Sequence, residues 1–441
     1  MRDIRNELIE MLKAEVKPAV GCTEPVALAL ACAKAKELLG EEVLVNTIHV
    51  SPSIYKNGMG VGIPGSKRAG LKIAAAMGIV GGHSENGLSV LETLSNDESI
   101  ASEKYMDENP INITPAETRE KVFIEVVLGG ATKTSKVVIR TKHDNFTYLE
   151  SNGEVILDDE PKVVETESTD EPVVNKEKLM DTVTVEELIQ NVEKMDLAEI
   201  SFLLDGIKMN EDMAEFGLAN KIGIGVGYGI KRSIESGLLT DDLINHAMML
   251  TAGASDARMA GVKMPVMSSN GSGNHGLTAI LPIVAYNDKF PQTDERLAKA
   301  LAISHLITGF IKNYTGRLSA VCGCGVAAST GATAGLAWLM DATEAQIEGA
   351  IENMIADLSG MICDGAKPGC ALKLSSAASA AMQSAIIAKQ DCIVPSQNGI
   401  VGSTVEESIR NLGRVSDKGM SITDEVILDV MNDMNKVKVT C

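Results

Sequence analysis

The chain has 441 residues, with 40 Lys+Arg against 60 Asp+Glu and a formal net charge of −20. That length exceeds one ordinary core and predicts two domains, and that charge repels phosphate backbones, which excludes nucleic acid as a partner class. Aromatic residues make up only 3% while Gly reaches 40, so the core is expected to be closely packed helices, and eight Cys are too sparse for a disulfide scaffold.

The first segment, MRDIRNELIEMLK, predicts a charged amphipathic helix over residues 2–13 rather than a signal peptide. A cytoplasmic protein with reduced thiols is expected. Pro18 and Gly21 break that helix. Thr23 is expected as the N-cap of a second helix, with Pro25 in its first turn. This helix runs through PVALALACAKAKELLG and stops at Gly40. EEVLVNTIHV reads as a strand. A Gly-rich loop follows from Asn57 to Ser66, and then a helix, KRAGLKIAAAMGIV. KVFIEVVLG and SKVVIRTKH alternate as strands, and GEVIL adds another.

Composition shifts at Asp158. DDEPKVVETESTDEPVVNKEK is acidic and poor in apolar residues, so it reads as a connector. From about Thr182 the pattern is helical: VEELIQNVEKM, DERLAKALAISHLITGFIKNY, EAQIEGAIENMIADLSG and SSAASAAMQSAIIAK all carry apolar residues at helical spacing. The expected architecture is an α+β N-terminal domain with a small sheet over residues 1–165. A mostly all-α C-terminal domain follows over 175–441. Residues 318–340 carry no charge and are long enough to span a bilayer. They are mostly Gly, Ala, Ser, Thr and Cys, too weakly apolar to insert. A loop and a buried helix are expected there, and no membrane partner.

Four of the eight cysteines fall between 322 and 370, in AVCGCGVA (Cys322, Cys324) and GMICDGAKPGC (Cys363, Cys370). Thiolates converging from Gly-rich loops make a metal or iron–sulfur site. Three ligands on a four-iron cluster leave one iron open as a Lewis acid. The spacing fits neither the ferredoxin patterns nor a zinc ribbon. Four ordinary buried thiols are the competing reading. Cys22 precedes a helix N-terminus, where the dipole favours a thiolate; a small residue before a cap is the plain alternative. Cys32 is expected in the core.

MSSNGSGNHGLTAILP gathers Ser269, Asn270 and His275 before an apolar helix, where free N–H groups bind anions. NGMGVGIPGSKR offers Asn57, Gly58 and Lys67 in a similar setting. Tight loops without ligands are the alternative for both. The Gly spacing of the second loop lacks the strand–loop–helix context of a dinucleotide site.

These residues resemble a known family. MPVMSSNGSGNHGLTAILPIVAYNDKF, AVCGCGVAASTGATAGLAWL and GMICDGAKPGC resemble the substrate loop and cluster cysteines in the α domain of iron–sulfur-dependent L-serine dehydratases. The first domain is similar to that family's β domain. GCTEPVALA stands where its Ser-His-Thr loop is expected, with Cys22 in the place of the His and Thr23 in that of the Thr. PGSKRAGLKIAAAMGIVGG resembles the next loop and helix. Together, GCTEP, CGCG and ICDGAKPGCALK look like the L-cysteine desulfidase branch.

The resemblance implies a [4Fe-4S] cluster on Cys363, Cys370 and Cys324, with Cys322 as the alternative to Cys324. It implies a β-elimination lyase of amino-acid catabolism. L-Cysteine would be the substrate, sulfide, pyruvate and ammonia the products, and Cys22 the base. Thr23, Asn57, Gly58, Lys67, Ser269, Asn270 and His275 are the expected substrate-binding residues, and a homo-oligomer is compatible with this reading. L-Serine dehydration is one rival; a non-enzymatic iron–sulfur redox sensor is another.

Overall fold

The computed structural model describes residues 2–118, 120–160 and 179–438, with the backbone alone at 432 and 435–438. Most of the acidic connector and Cys441 lie outside the described residues. The chain groups into two compact units. One combines Met1–Cys22, Gly60–Pro64 and Thr184–Cys441, and the other Thr23–Met59 and Gly65–Val183.

The second of these is an α+β unit. Its sheet contains β2 (Val45–Val50), β3 (Ile113–Pro115), β4 (Phe123–Gly129), β5 (Thr134–Arg140), β6 (Phe146–Ser151) and β7 (Glu154–Asp158); β1 (Pro18–Ala19) lies in the other unit. The order is β3-β2-β4-β5-β6-β7, with β2 and β3 parallel and the other pairs antiparallel. Cross-strand register aligns Ile48, Val126, Val137 and Leu149 in one row. Ile48, Val126 and Val137 are fully buried, as period-2 alternation requires of a one-sided sheet. That face meets helix α2 (Thr23–Leu39), which packs on β4, β5 and β6. Two hydroxyls cross the seam: Ser135 Oγ donates to Ala35 O at 2.7 Å and Ser151 Oγ to Leu38 O at 2.9 Å.

The sheet adds β3 and β6 to the four segments expected as strands. β6 is followed by Asn152-Gly153, both with positive φ, and this turn joins it to β7. Three other boundaries differ from expectation. Thr23 is the first residue of α2 rather than its N-cap. Asn57 and Gly58 end a short helix, α3 (Pro52–Gly58), instead of opening a loop. The following helix, α4 (Leu71–Val80), begins beyond Lys67 and Arg68. Gly58 allows close packing, because a Cβ there would force the Leu71 side chain to shift. Helices α5 (Asn96–Glu108) and α6 (Leu179–Thr182) complete the unit.

The helical unit begins with α1 (Arg5–Glu15) and β1, and β1 pairs antiparallel with β8 (Val266–Met267). Its remaining helices are α7 (Val185–Glu193), α8 (Leu197–Ile200), α9 (Asp205–Ala219), α10 (Val226–Glu235), α11 (Leu243–Met259), α12 (Gly273–Lys289), α13 (Asp294–Thr315), α14 (Ser329–Leu339), α15 (Glu344–Leu358), α16 (Cys370–Ala388), α17 (Val405–Arg414) and α18 (Thr423–Lys438). Small residues set how closely they pack. A Cβ on Gly217 of α9 or Gly227 of α10 would collide with the backbone of Gly253 on α11. The scarcity of rings and abundance of Gly thus correspond to helices touching along their backbones. The uncharged run 318–340 is loop, a π-helical turn (Gly323–Ala328) and the buried α14. No described helix is long and apolar enough to cross a membrane.

One part of this unit is electrostatically unfavourable. Burial first, and then the charges of Glu406, Glu186, Glu352 and Glu344, together raise the Glu348 carboxyl to about 7. The folded chain therefore holds a proton that the unfolded chain has already lost. Stability falls as pH rises from the ordinary carboxylate range through 7. Glu348→Gln should raise stability at pH 8 by about 1 kcal/mol after allowing for solvent screening, and the melting temperature with it. At pH 4.5 the two proteins should melt together. Melting curves at the two pH values check both the size and the sign.

Candidate functional site

The cysteine loops meet in the helical unit through a short antiparallel bridge, Val321 with Ile362. Cys322 N–H donates to Met361 O at 2.8 Å, and Cys363 N–H donates to Ala320 O at 2.7 Å. Cys324 follows in the π-helical turn, a local widening that often marks functional sites. Cys370 opens α16, with its N–H donating to Lys367 O at 2.9 Å. Cys322 Sγ and Cys324 Sγ lie 3.4 Å apart. One proton between these two sulfurs lowers the Cys322 thiol to about 6 and raises that of Cys324, and the Gly325 N–H also favours an anion at Cys322. Burial raises Cys370 to about 11, with the charges of Cys322 and Cys363 acting in the same direction. Cys324 likewise feels Cys370 and Cys363. All four thiols therefore share one electrostatic environment.

Cations surround them. Lys312, near the end of α13, is 7% exposed. Burial lowers its ammonium to about 8, against the opposing pull of Cys363, Cys322 and Cys324. Lys367 and Lys373 both pair with Asp364, and Lys373 Nζ also donates to Ile362 O at 2.8 Å. Gly323 explains the glycine inside the CGCG motif. A Cβ there would collide with His275 Nε2 and come within 3.2 Å of Lys312 Nζ. His275 lies on α12 and is 7% exposed. Burial lowers it to about 3, helped by the charges of Lys312, Arg258 and Arg317, so the ring is neutral. Its Nδ1 is 3.1 Å from Ser269 O, which can only accept. Nδ1 thus carries the hydrogen, and Nε2, facing Gly323, is an acceptor.

The same unit holds Cys22, which is 6% exposed. Arg258, in the last turn of α11, donates from Nη2 to Gly21 O at 2.7 Å and from Nη1 to Asn274 Oδ1 at 3.0 Å. It ties the residue before Cys22 to the residue before His275. Arg258 is 5% exposed, and among the described residues no acceptor reaches its Nε. Ser269 is fully buried. Asn270 Nδ2 donates to Ser269 Oγ at 3.0 Å and to His305 O at 3.3 Å, while His305 Nδ1 is 2.9 Å from Ser269 Oγ. These two side chains therefore brace the loop internally.

In the α+β unit, Thr23 starts α2 and Asn57 Nδ2 donates to Glu24 Oε1 at 2.9 Å. Gly58 closes α3. The Lys67 N–H is held by Glu103 Oε1 at 2.8 Å. Cys32 is fully buried in α2, where burial raises its thiol, and Cys392 is exposed.

Sequence reasoning missed Arg258 and Lys312. Each sits in the last turn of a helix, where a cation is ordinary because it opposes the helix dipole. The signal lay in their neighbours. Arg258 follows TAGASDA and Lys312 follows LITGFI, so both stand among residues that bury well.

The thiols fit sulfur-ligated iron in donor type, with lysines at hand to offset thiolate charge. Among the described residues no group of three His, Cys, Asp or Glu closes around a point as a site for one metal ion. A multi-iron cluster asks for a different arrangement, with thiolates spread around a wider body.

Comparison with known proteins shows which family the chain is similar to. Residues 85–429 match the family described as serine dehydratase alpha chain. The chain is 79% identical to a UPF0597 protein of Clostridioides difficile over 97% of its own length and all of the relative's. It is 50% identical to a UPF0597 protein of Alkaliphilus metalliredigens, covering 98% of this chain and 96% of that one. A UPF0597 protein of Clostridium tetani is 47% identical over 97% of this chain and 98% of its own. The chain belongs to the serine dehydratase alpha-chain family.

Proposed function

We propose that the protein is an iron–sulfur-dependent lyase that eliminates the β-substituent of a small L-amino acid, and that its substrate is L-cysteine. The observation that supports this most strongly is the meeting of the Cys322–Cys324 loop with the Cys363 loop at the Val321–Ile362 bridge, with Cys322 Sγ and Cys324 Sγ 3.4 Å apart, in a chain of this family. Cys363, Cys370 and Cys324 hold the cluster, with Cys322 as the alternative to Cys324. When bound, a cluster with an open iron supplies a Lewis acid for the departing group.

The chain's own residues supply the rest. The Cys22 thiolate removes the proton from Cα. The electron pair left on Cα forms the Cα–Cβ double bond as the Cβ–S bond breaks, and hydrosulfide leaves. The aminoacrylate product becomes its imine and takes up water, giving pyruvate and ammonium. Arg258 positions Cys22 through Gly21 O. Lys312 offsets the thiolate charge, and neutral His275 presents Nε2 as an acceptor.

The family description favours a second reading, L-serine dehydration by the same steps with hydroxide leaving. Anaerobic purification, iron and acid-labile sulfide assays, and L-cysteine and L-serine supplied in turn separate the cases. Sulfide from cysteine supports the proposal. Pyruvate from serine alone supports the dehydratase, and a loaded cluster with no turnover of either makes the protein a sensor.

A further inference from the structure

The proposed ligand set of Cys324, Cys363 and Cys370 leaves Cys322 without a task, yet its position is closely held. Its N–H donates to Met361 O at 2.8 Å. Its sulfur caps the π-helical turn by accepting from the Gly325 N–H at 3.4 Å. Gly325 makes room for that sulfur, since a Cβ there would come within 3.2 Å of Cys322 Sγ. Seated in this way, Cys322 Sγ lies 3.4 Å from Cys324 Sγ. A disulfide needs its sulfurs at about 2.05 Å. Torsions of the two side chains supply the short approach, and the residue between them, Gly323, adds no side chain of its own. The two thiols also differ in access: Cys322 is buried and Cys324 half-buried. A reagent from solvent meets Cys324 first, with Cys322 directly behind it.

We infer that Cys322 and Cys324 are a reversible redox pair that bridges when the site holds no cluster. The oxidant is a low-molecular-weight disulfide. The Cys324 sulfur attacks one of its sulfurs, a mixed disulfide forms, and the first small thiol leaves. The Cys322 sulfur then attacks Cys324 Sγ, the mixed S–S bond breaks, and the second small thiol leaves. Two cysteine thiols are oxidised by two electrons, the added disulfide is reduced to two thiols, and those thiols carry away both protons. An excess of a dithiol runs the exchange backwards. Once bridged, Cys324 has no thiolate to offer iron. This consequence rests on the reading of Cys324 as a cluster ligand.

The test uses the full-length chain, freed of iron by a chelator without oxygen and then given glutathione disulfide. Mass spectra of the peptide that carries residues 322 and 324 should show the loss of two hydrogens. Uptake of iron and sulfide by the treated protein should fall to background and return after dithiothreitol. Two free thiols at 322 and 324 after treatment with excess glutathione disulfide would overturn the inference. So would a bridge from either residue to Cys363 or Cys370, or full iron uptake by the bridged protein.

This outcome is separable from that of the proposed function. If the bridge forms in a chain that never takes up iron, the redox pair stands and the cluster reading falls. If iron loads and L-cysteine yields sulfide while the iron-free pair stays reduced, the reverse holds.

Discussion

Cys22→Ala is expected to keep its iron and lose its turnover. Removing a general base costs about 100- to 10,000-fold in rate, and nothing in the proposed ligand set depends on Cys22. Iron and labile sulfide per chain should match the unaltered protein while kcat on L-cysteine falls within that range. Cys22→Ser separates basicity from shape, because a hydroxyl preserves most of the volume but ionises far less readily than a thiol. It should be nearly as impaired as the alanine variant. Cluster loss in Cys22→Ala would make Cys22 a ligand and would leave the proton transfer unassigned. Arg258 sharpens this expectation. Its bond to Gly21 O is made by the backbone before Cys22, so neither substitution should disturb the buried guanidinium.

The cysteine loops give the opposite pattern. Cys363→Ser, Cys370→Ser and Cys324→Ala should each reduce bound iron to background and abolish turnover, since a hard hydroxyl or a methyl cannot replace a soft thiolate. Cys322→Ala should retain iron. Its thiol contacts Cys324 and accepts the Gly325 N–H, which places it beside the ligand set. If Cys322→Ala empties the site and Cys324→Ala does not, the two exchange roles. Iron content together with the visible absorption of the anaerobic proteins reads all four variants at once.

The fold was legible where local pattern decides structure. The alternation of KVFIEVVLG and SKVVIRTKH became β4 and β5, and the apolar spacing after Thr182 became a helical unit. Three of the elements that escaped, β1, β8 and β3, have a common cause. β1 and β8 are two residues each and exist only because Pro18–Ala19 meets Val266–Met267, a pairing across nearly 250 positions that no local window contains. β3 is defined by its parallel partner β2 in the same way. The assignment of Met1–Cys22 and Gly60–Pro64 to the helical unit also depends on such contacts. Gly62 N–H donates to Met259 O at 2.9 Å, and composition carries no trace of that bond.

The site divides similarly. Cysteines in Gly-rich loops are visible as letters, and so is the Ser/Asn/His loop. What those loops touch is not. His275 could be singled out for its small polar neighbours, but its neutrality follows from burial among Lys312, Arg258 and Arg317. Ser269 and Asn270 share the same motif, yet their hydrogen bonds run to each other and to His305. Arg258 and Lys312 resembled ordinary helix-end cations until their exposure was known. A charge with no carboxylate beside it in sequence looks the same whether water or protein surrounds it.

The most direct measurement is the product balance on L-cysteine. Anaerobically prepared, iron-loaded protein given L-cysteine should release sulfide and pyruvate in equal amounts, and the release should stop when the cluster is removed. A fully loaded protein that yields neither product from L-cysteine would contradict the account.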